Sequence, residues 1–162
     1  MRRLAAIINF EDYLRSYKDM KLFIKITLTT LILACFSTTA FGQQQLYNSL
    51  NKRMAILYKN GKTAEAITTA QEVVKVAEDT FGKNHAYYSA ALENLALLYV
   101  SEGSTEKAAK LYEESFKVRQ GLLGNNDPRL KDVLEKLIKC YQAMNEADKI
   151  DSVKVRMKSL QS

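Results

Sequence analysis

The chain has 162 residues, 24 of them basic and 18 acidic, with a formal charge of +6, one proline, no tryptophan and two cysteines. That length suits one domain, the scarcity of breakers favours helix throughout, and two cysteines cannot build a disulfide framework. Six basic and three acidic side chains fall within residues 1–42, leaving 18 basic against 15 acidic beyond them. The two signs are interleaved there, without the clustered basic stripe that nucleic-acid binding requires.

Residues 1–42 read as an address rather than as part of the fold. After Met20, Lys21 and Lys25 form a basic n-region, Ile26 to Phe36 an apolar h-region, and Ala40-Phe41-Gly42 places small residues at the −3 and −1 positions before Gln43. Cleavage after Gly42 is the expected outcome, and the expected location is the periplasm of a Gram-negative bacterium. Two alternatives stay open. Ile32-Leu33-Ala34-Cys35 resembles a lipobox, which would lipidate Cys35, and the segment could also remain as an uncleaved anchor. The run is short for a membrane span and carries Lys25 inside it. Met20 is a natural start, so residues 1–19 are either a long n-region or an effect of start-codon choice.

Residues 43–162 repeat themselves. Gly61 and Gly103, Ala66 and Ala108, Gly82 and Gly124, and Tyr99 and Tyr141 are each separated by 42 residues, whereas Tyr58 lies 41 before Tyr99. The period divides the chain into three antiparallel helix pairs. The first is Leu46 to Tyr58 and Thr63 to Thr80. The second is Ala86 to Ser101 and Thr105 to Leu123, and the third Pro128 to Ala143 and Ala147 to Leu160. In the second pair, Leu92, Leu95, Ala96 and Tyr99 share one helical face, and Ala108, Leu111, Tyr112, Ser115, Arg119 and Leu122 recur at steps of three and four. Gly82, Gly103 and Gly124 are expected as left-handed residues at helix C-termini. Asp127 is expected to cap the third pair with Pro128 at its first helical position, and Asn84 or His85 to cap the second.

Leu92-x-x-Leu95-Ala96-x-x-Tyr99, Gly103 and Ala108-x-x-x-Tyr112-x-x-Ser115 resemble a tetratricopeptide repeat. The spacing and the joint Leu123-Gly124-Asn125-Asn126-Asp127-Pro128 resemble the kinesin-light-chain type of that family. The resemblance covers about residues 46–160 and implies an all-α fold, a right-handed superhelical solenoid of about three antiparallel helix pairs (repeats about 46–82, 86–124 and 128–160). Small residues at Ala96 and Ala108 would let paired helices approach closely. The sequence departs from the pattern at Ala70, Ala86, Ile138, Asn145, Ile150 and Lys154. The weak third copy suits a capping repeat whose Ile150, Val153, Met157 and Leu160 close the core.

Catalysis finds little support. His85 is the sole histidine and sits in a joint, no cluster has metal-ligand spacing, and no glycine-rich phosphate loop is present. Glu113 and Glu114 lie about 100° apart on a helix and read as a solvated face. Cys140 reads as a small buried hydrophobe, and most of the tyrosines as core. The resemblance implies instead that the first helix of each pair lines a concave groove. Asn94 matches an asparagine that hydrogen-bonds an extended peptide in related repeats, with Arg53 and Lys136 at the corresponding positions and Ile56, Leu97 and Lys139 three residues further on. The expected ligand is a peptide or protein segment with apolar anchors and some acidic character. No enzyme activity, cofactor, metal or nucleic acid is expected, and membrane contact only through the N-terminal segment. The alternative is a membrane-tethered scaffold or assembly factor that self-associates.

Overall fold

In the computed structural model the backbone is described for residues 2–160, and side chains at 15, 17, 18, 20–25, 27–29 and 42–160. The chain divides into two compact units, Met1–Gly42 and Gln43–Ser162. Helix α1 runs Arg2–Lys59, followed by α2 (Thr63–Phe81), α3 (Ala86–Glu102), α4 (Thr105–Leu123), a 3-10 turn (Pro128–Leu130), α5 (Lys131–Ala143) and α6 (Ala147–Lys158). No strand occurs among the described residues.

In the first unit, Leu22, Phe23, Ile24 and Leu28 are exposed. Among the described residues no helix is long and apolar enough to cross a membrane. The side chains of Cys35, Ala40 and Phe41, on which the lipidation and cleavage readings turn, lie outside the described residues.

The second unit is a stack of helix pairs. Helix α3 packs on α2 and α4, and α5 on α4 and α6. Alanines make the close approaches. Ala66, Ala70 and Ala77 of α2, Ala91 and Ala96 of α3 and Ala108 of α4 are completely buried. Larger side chains fill the space between: Met54 with Leu95 and Leu98, Tyr47 with Val73 and Leu92, and Tyr112 with Leu130, Leu134 and Leu137. Fully burying a Leu-sized side chain contributes roughly 1.5–3 kcal/mol, so a few such contacts per joint hold neighbouring pairs together. Helix α6 buries no residue completely. It lays Ile150, Val153 and Met157 against the last cluster, with Leu160 buried just beyond its end, which closes the stack.

The turn inside each pair has one construction. Gly61, Gly103 and Asn145, spaced 42 apart, all have positive φ (75°, 87° and 58°). In each turn two N–H groups fold back on the preceding helix. Lys62 donates to the Leu57 carbonyl, Ser104 to Tyr99 and Glu146 to Tyr141, at 3.0, 2.8 and 3.0 Å. These are Schellman closures, which satisfy carbonyls that a helix end leaves orphaned. Asparagine is the residue after glycine that best tolerates this conformation, so the third copy keeps the turn without the glycine.

Several expectations need correction. The stretch from Leu46 is not the start of a helix but the last part of α1, since nothing from Gln43 onward breaks it. Gly82 and Gly124 do have positive φ (83° and 89°) but extended ψ (162° and 166°), a region open essentially to glycine alone, rather than the left-handed helical one. At the joints His85 Nδ1 accepts from the Tyr87 N–H at 3.2 Å and Asp127 Oδ1 from Arg129 N–H at 2.8 Å, but Pro128 opens a 3-10 turn rather than the α-helix itself. Leu122 is 46% exposed, and Tyr58 and Tyr87 are exposed as well.

Two glycines three residues apart test this backbone account. Gly121 lies inside α4 with open space where a Cβ would go, so Gly121→Ala is expected to stabilise by about 0.5–1 kcal/mol. Gly124→Ala forces an L-residue into its extended positive-φ conformation and is expected to cost about 1–3 kcal/mol. Urea unfolding followed by far-UV circular dichroism reads both.

Candidate functional site

The first helices of the pairs lie side by side, in a register visible in their polar contacts. Asn94 Nδ2 of α3 donates to Asn51 Oδ1 of α1 at 3.4 Å, and Lys136 Nζ of α5 donates to Glu93 Oε2 of α3 at 2.8 Å. Both pairs are 43 apart, and one is the other displaced by a 42-residue repeat. With the Schellman turns, this fixes Lys52, Asn94 and Lys136 as one equivalent position and Ala55, Leu97 and Lys139 as the next.

Arg53 and Ile56 are therefore one residue, about 100°, out of register with Asn94 and Leu97. Tyr58 invites alignment with Tyr99, but Leu57 is the residue whose carbonyl closes the first turn as Tyr99 closes the second. Arg53 instead corresponds to Leu95 and Leu137, and Ile56 to Leu98 and Cys140. All four of those are buried, Leu98 against Met54 and Ala66 and Cys140 against Ala96 and Ala108 of the preceding pair. Arg53 and Ile56 occupy the same face of α1 but are exposed, Ile56 by 50%. The structure brings Asn94, Leu97, Lys136 and Lys139 together and sets Arg53 and Ile56 apart from them.

Lys136 is also not a free groove cation. It is held by Glu93 and by Asp132 Oδ2, each at 2.8 Å. Burial lowers its pKa, but the hydrogen bonds to Asp132 and Glu93 outweigh burial and raise it. Glu93, which sequence reasoning missed, is the centre of this arrangement. It is 8% exposed and also accepts from Arg119 Nε of α4 at 2.8 Å and from the Ser115 hydroxyl at 2.9 Å. A signal was available: Ser115 and Arg119 lie on the packed face of α4, where a cation needs a carboxylate.

The groove surface follows from this frame. Between α3 and α5, over α4, opens a cleft of about 270 Å³ walled by Leu97, Val100, Cys140 and Ala143, with Lys136, Lys139, Thr105 and Tyr112 completing it. A second, more polar cleft of about 290 Å³ adjoins it through Leu97, Tyr112 and Lys136 and reaches Asn94, Arg119 and Asp132. Leu97 is 50% and Val100 43% exposed, and Lys139 has no ion pair among the described residues. Cys140 is buried, and burial raises its thiol pKa, which keeps it an inert part of the apolar wall. Among the described residues no group of three His, Cys, Asp or Glu could hold a metal.

Glu113 and Glu114 are not a solvated face. Tyr88 of α3 donates to Glu114 Oε1 at 2.7 Å and Tyr141 of α5 donates to Glu113 Oε1, so the adjacent carboxylates pin α4 to its two neighbours. Burial and then the glutamate acceptors raise both tyrosine pKa values.

Removing Glu93 should loosen three helices at once. Glu93→Ala leaves Arg119 and Lys136 partly buried without their carboxylate. Because both can turn toward water, we expect a loss of about 2–3 kcal/mol, below the usual cost of breaking a fully buried pair. Adding Arg119→Met should restore part of that loss in thermal unfolding, since the orphaned charge goes with it.

Residues 45–121 match the tetratricopeptide repeat family, covering the first two helix pairs. The third pair, where Asn145, Ile150 and Lys154 depart from the pattern, lies outside the match. No match is found among curated proteins. Among solved structures, the fold is similar to BtubC (BKLC) of P. vanneervenii, with 23% identity, a TM-score of 0.64, and coverage of 71% of this chain and 46% of that one. It is also similar to the nearly identical TPR-like repeats of a Podosopora anserina protein assigned as a kinesin light chain, with 21% identity, a TM-score of 0.59, and coverage of 70% and 54%. The chain thus spans about half the length of the structures it matches. By fold, Gln43–Ser162 is a tetratricopeptide repeat solenoid, and residues 45–121 carry the sequence match to that family.

Proposed function

We propose that the chain is an exported protein-interaction module that holds an extended segment of another protein along the groove built by α1, α3 and α5. One observation carries this reading. At a single register position the three first helices present Ala55, Leu97 and Lys139, all exposed, beside Lys52, Asn94 and Lys136 and above the apolar cleft. A stable core gains nothing from exposing Leu97 and Val100 side by side, whereas a peptide side chain would cover them. Lys52 and Lys139 add positive charge at the two ends of the row, which suits an acidic segment. The partly buried Asn94 amide, which donates to Asn51, can both donate to and accept from a peptide backbone.

Export rests on Lys21, Lys25, the apolar run and Ala40-Phe41-Gly42. Intact mass of the protein from its native membrane and soluble fractions separates the outcomes. A chain beginning at Gln43 supports the exported module. A diacylated chain beginning at Cys35, or an uncut one, supports the tethered scaffold.

Groove binding is tested by selecting a displayed random-peptide library on the purified full-length chain. Enriched peptides should combine large apolar with acidic residues. Leu97→Asp and Lys139→Glu should each weaken them by about tenfold or more, the scale of a central anchor, while Arg53→Glu leaves them bound. Peptides that bind all four proteins equally would place the interface elsewhere.

A further inference from the structure

One side of the helix stack exposes a face that the later pairs bury. Tyr88, Ala91, Leu95 and Leu98 of α3 are buried and share clusters with Tyr47, Met54, Ala66 and Val73 of the pair before. The four equivalent positions of α5 are buried as well. In α1 the same positions are Leu46, Ser49, Arg53 and Ile56, and all four are exposed. Arg53 and its neighbour Lys52 have no ion pair among the described residues, and no acidic side chain occurs from Gln43 to Lys59.

Contacts between pairs follow fixed offsets, and these define what would fit the uncovered face. First helices meet at an offset of 43: Asn51 with Asn94, Tyr58 with Ser101 and Glu93 with Lys136. A second helix meets the next first helix at an offset of 28: Gln71 with Tyr99 and Glu113 with Tyr141. If the first pair of another copy follows the third pair, the first offset sets Glu135 against that copy's Lys52. Glu135 is the repeat equivalent of Glu93, and Lys52 of Lys136, so the same ion pair returns with the same residue types. The second offset sets Val155, 70% exposed, against the half-buried Leu57 of that copy, apolar on apolar. Arg53 takes the place of Leu95, which clusters with Ile67, and the equivalent of Ile67 in the third pair is Asp151. Glu135 and Asp151 are held only by exposed lysines on their own helices, Lys131 at 3.8 Å and Lys154 at 3.7 Å. Surface pairs of this kind contribute little, so both carboxylates are free to exchange partners.

We propose that the uncovered face docks on a second copy of this chain, with α1 (residues 43–59) and α2 of one copy stacking on α5 and α6 of another through Lys52–Glu135, Arg53–Asp151 and Leu57–Val155. The two faces differ, so the contact does not close on itself and adds copies end to end. It is weaker than the joints within the chain. Ile138 and Ile150 stand where the earlier joint has the small, fully buried Ala96 and Ala108, which holds the helices further apart, and Lys154 brings a like charge toward Arg53. Association is therefore reversible and rises with concentration. It does not depend on the groove reading.

The test is sedimentation velocity of the full-length chain over a range of concentrations, with Lys52→Glu and Glu135→Lys variants. The weight-average mass of the wild type is expected to rise with concentration without levelling at a dimer. Each reversal sets like charges against each other and should weaken association about tenfold. Both positions are exposed, and unchanged circular dichroism spectra will show that the fold is intact. An equimolar mixture of the two variants should associate again, because the copies can alternate, one joint carrying the reversed ion pair and the next the original one. A wild type that stays monomeric at every concentration overturns the proposal. So does association that neither reversal weakens, or a mixture that associates no better than its two components.

Discussion

The arrangement of helices α3, α4 and α5 depends on one buried carboxylate. Glu93 accepts from Ser115 and Arg119 on its own partner helix and from Lys136 on the next pair. In a stacked-repeat protein each pair touches only its neighbours, so stability is built from joints rather than from one central core. Apolar contacts such as Tyr112 against Leu134 supply most of the energy at a joint but direct it weakly, because a small slide exchanges one apolar neighbour for another. A buried ion pair is the opposite case. Its net contribution to stability is small, yet displacing it strands charges in a poorly solvated place at a cost of several kcal/mol. Glu93 therefore acts on register more than on strength, and the groove-lining side chains of α3 and α5 inherit their spacing from it.

The same carboxylate shapes the groove's chemistry. A row of exposed lysines would make it a general acceptor of acidic segments. Binding Lys136 to Glu93 and Asp132 removes one cation from that row and leaves Lys139 at the rim. Between them the wall stays apolar. What remains is one cleft with a defined floor, instead of a uniformly basic channel.

Much of this was legible in the sequence, for a physical reason. Turn geometry is local chemistry, so Gly61 and Gly103 marked the ends of the first helices, and buried alanines at helical spacing marked the close approaches. Asp127 and His85 capped where their residue types and positions implied. What failed was information held across helices. Tyr58 looked like the counterpart of Tyr99 because residue identity suggested it, whereas backbone hydrogen bonds assign that place to Leu57. One residue of error set Arg53 and Ile56 about 100° off the positions of Asn94 and Leu97. The partners of Glu93, and of Glu113 and Glu114, lie 22 to 43 residues away on other helices, and no periodicity within one helix can reveal them.

The internal repeat also separates architecture from function. Some contacts recur a repeat apart in almost the same form. Gln71 donates to the Tyr99 hydroxyl as Tyr141 donates to Glu113, and Lys107 lies over the Tyr99 ring at 5.1 Å as Lys149 lies over Tyr141 at 5.2 Å. A contact that every copy needs in order to stack has reason to recur, since its role is the same at each joint. The groove positions do the reverse. Ala55, Leu97 and Lys139 share one place in the fold and differ in size, polarity and charge, as do Lys52, Asn94 and Lys136. Ala55, Leu97 and Lys139 are exposed, so stacking places no demand on them that would keep them alike or drive them apart. Their divergence leaves the row apolar at Leu97 and basic at Lys52 and Lys139.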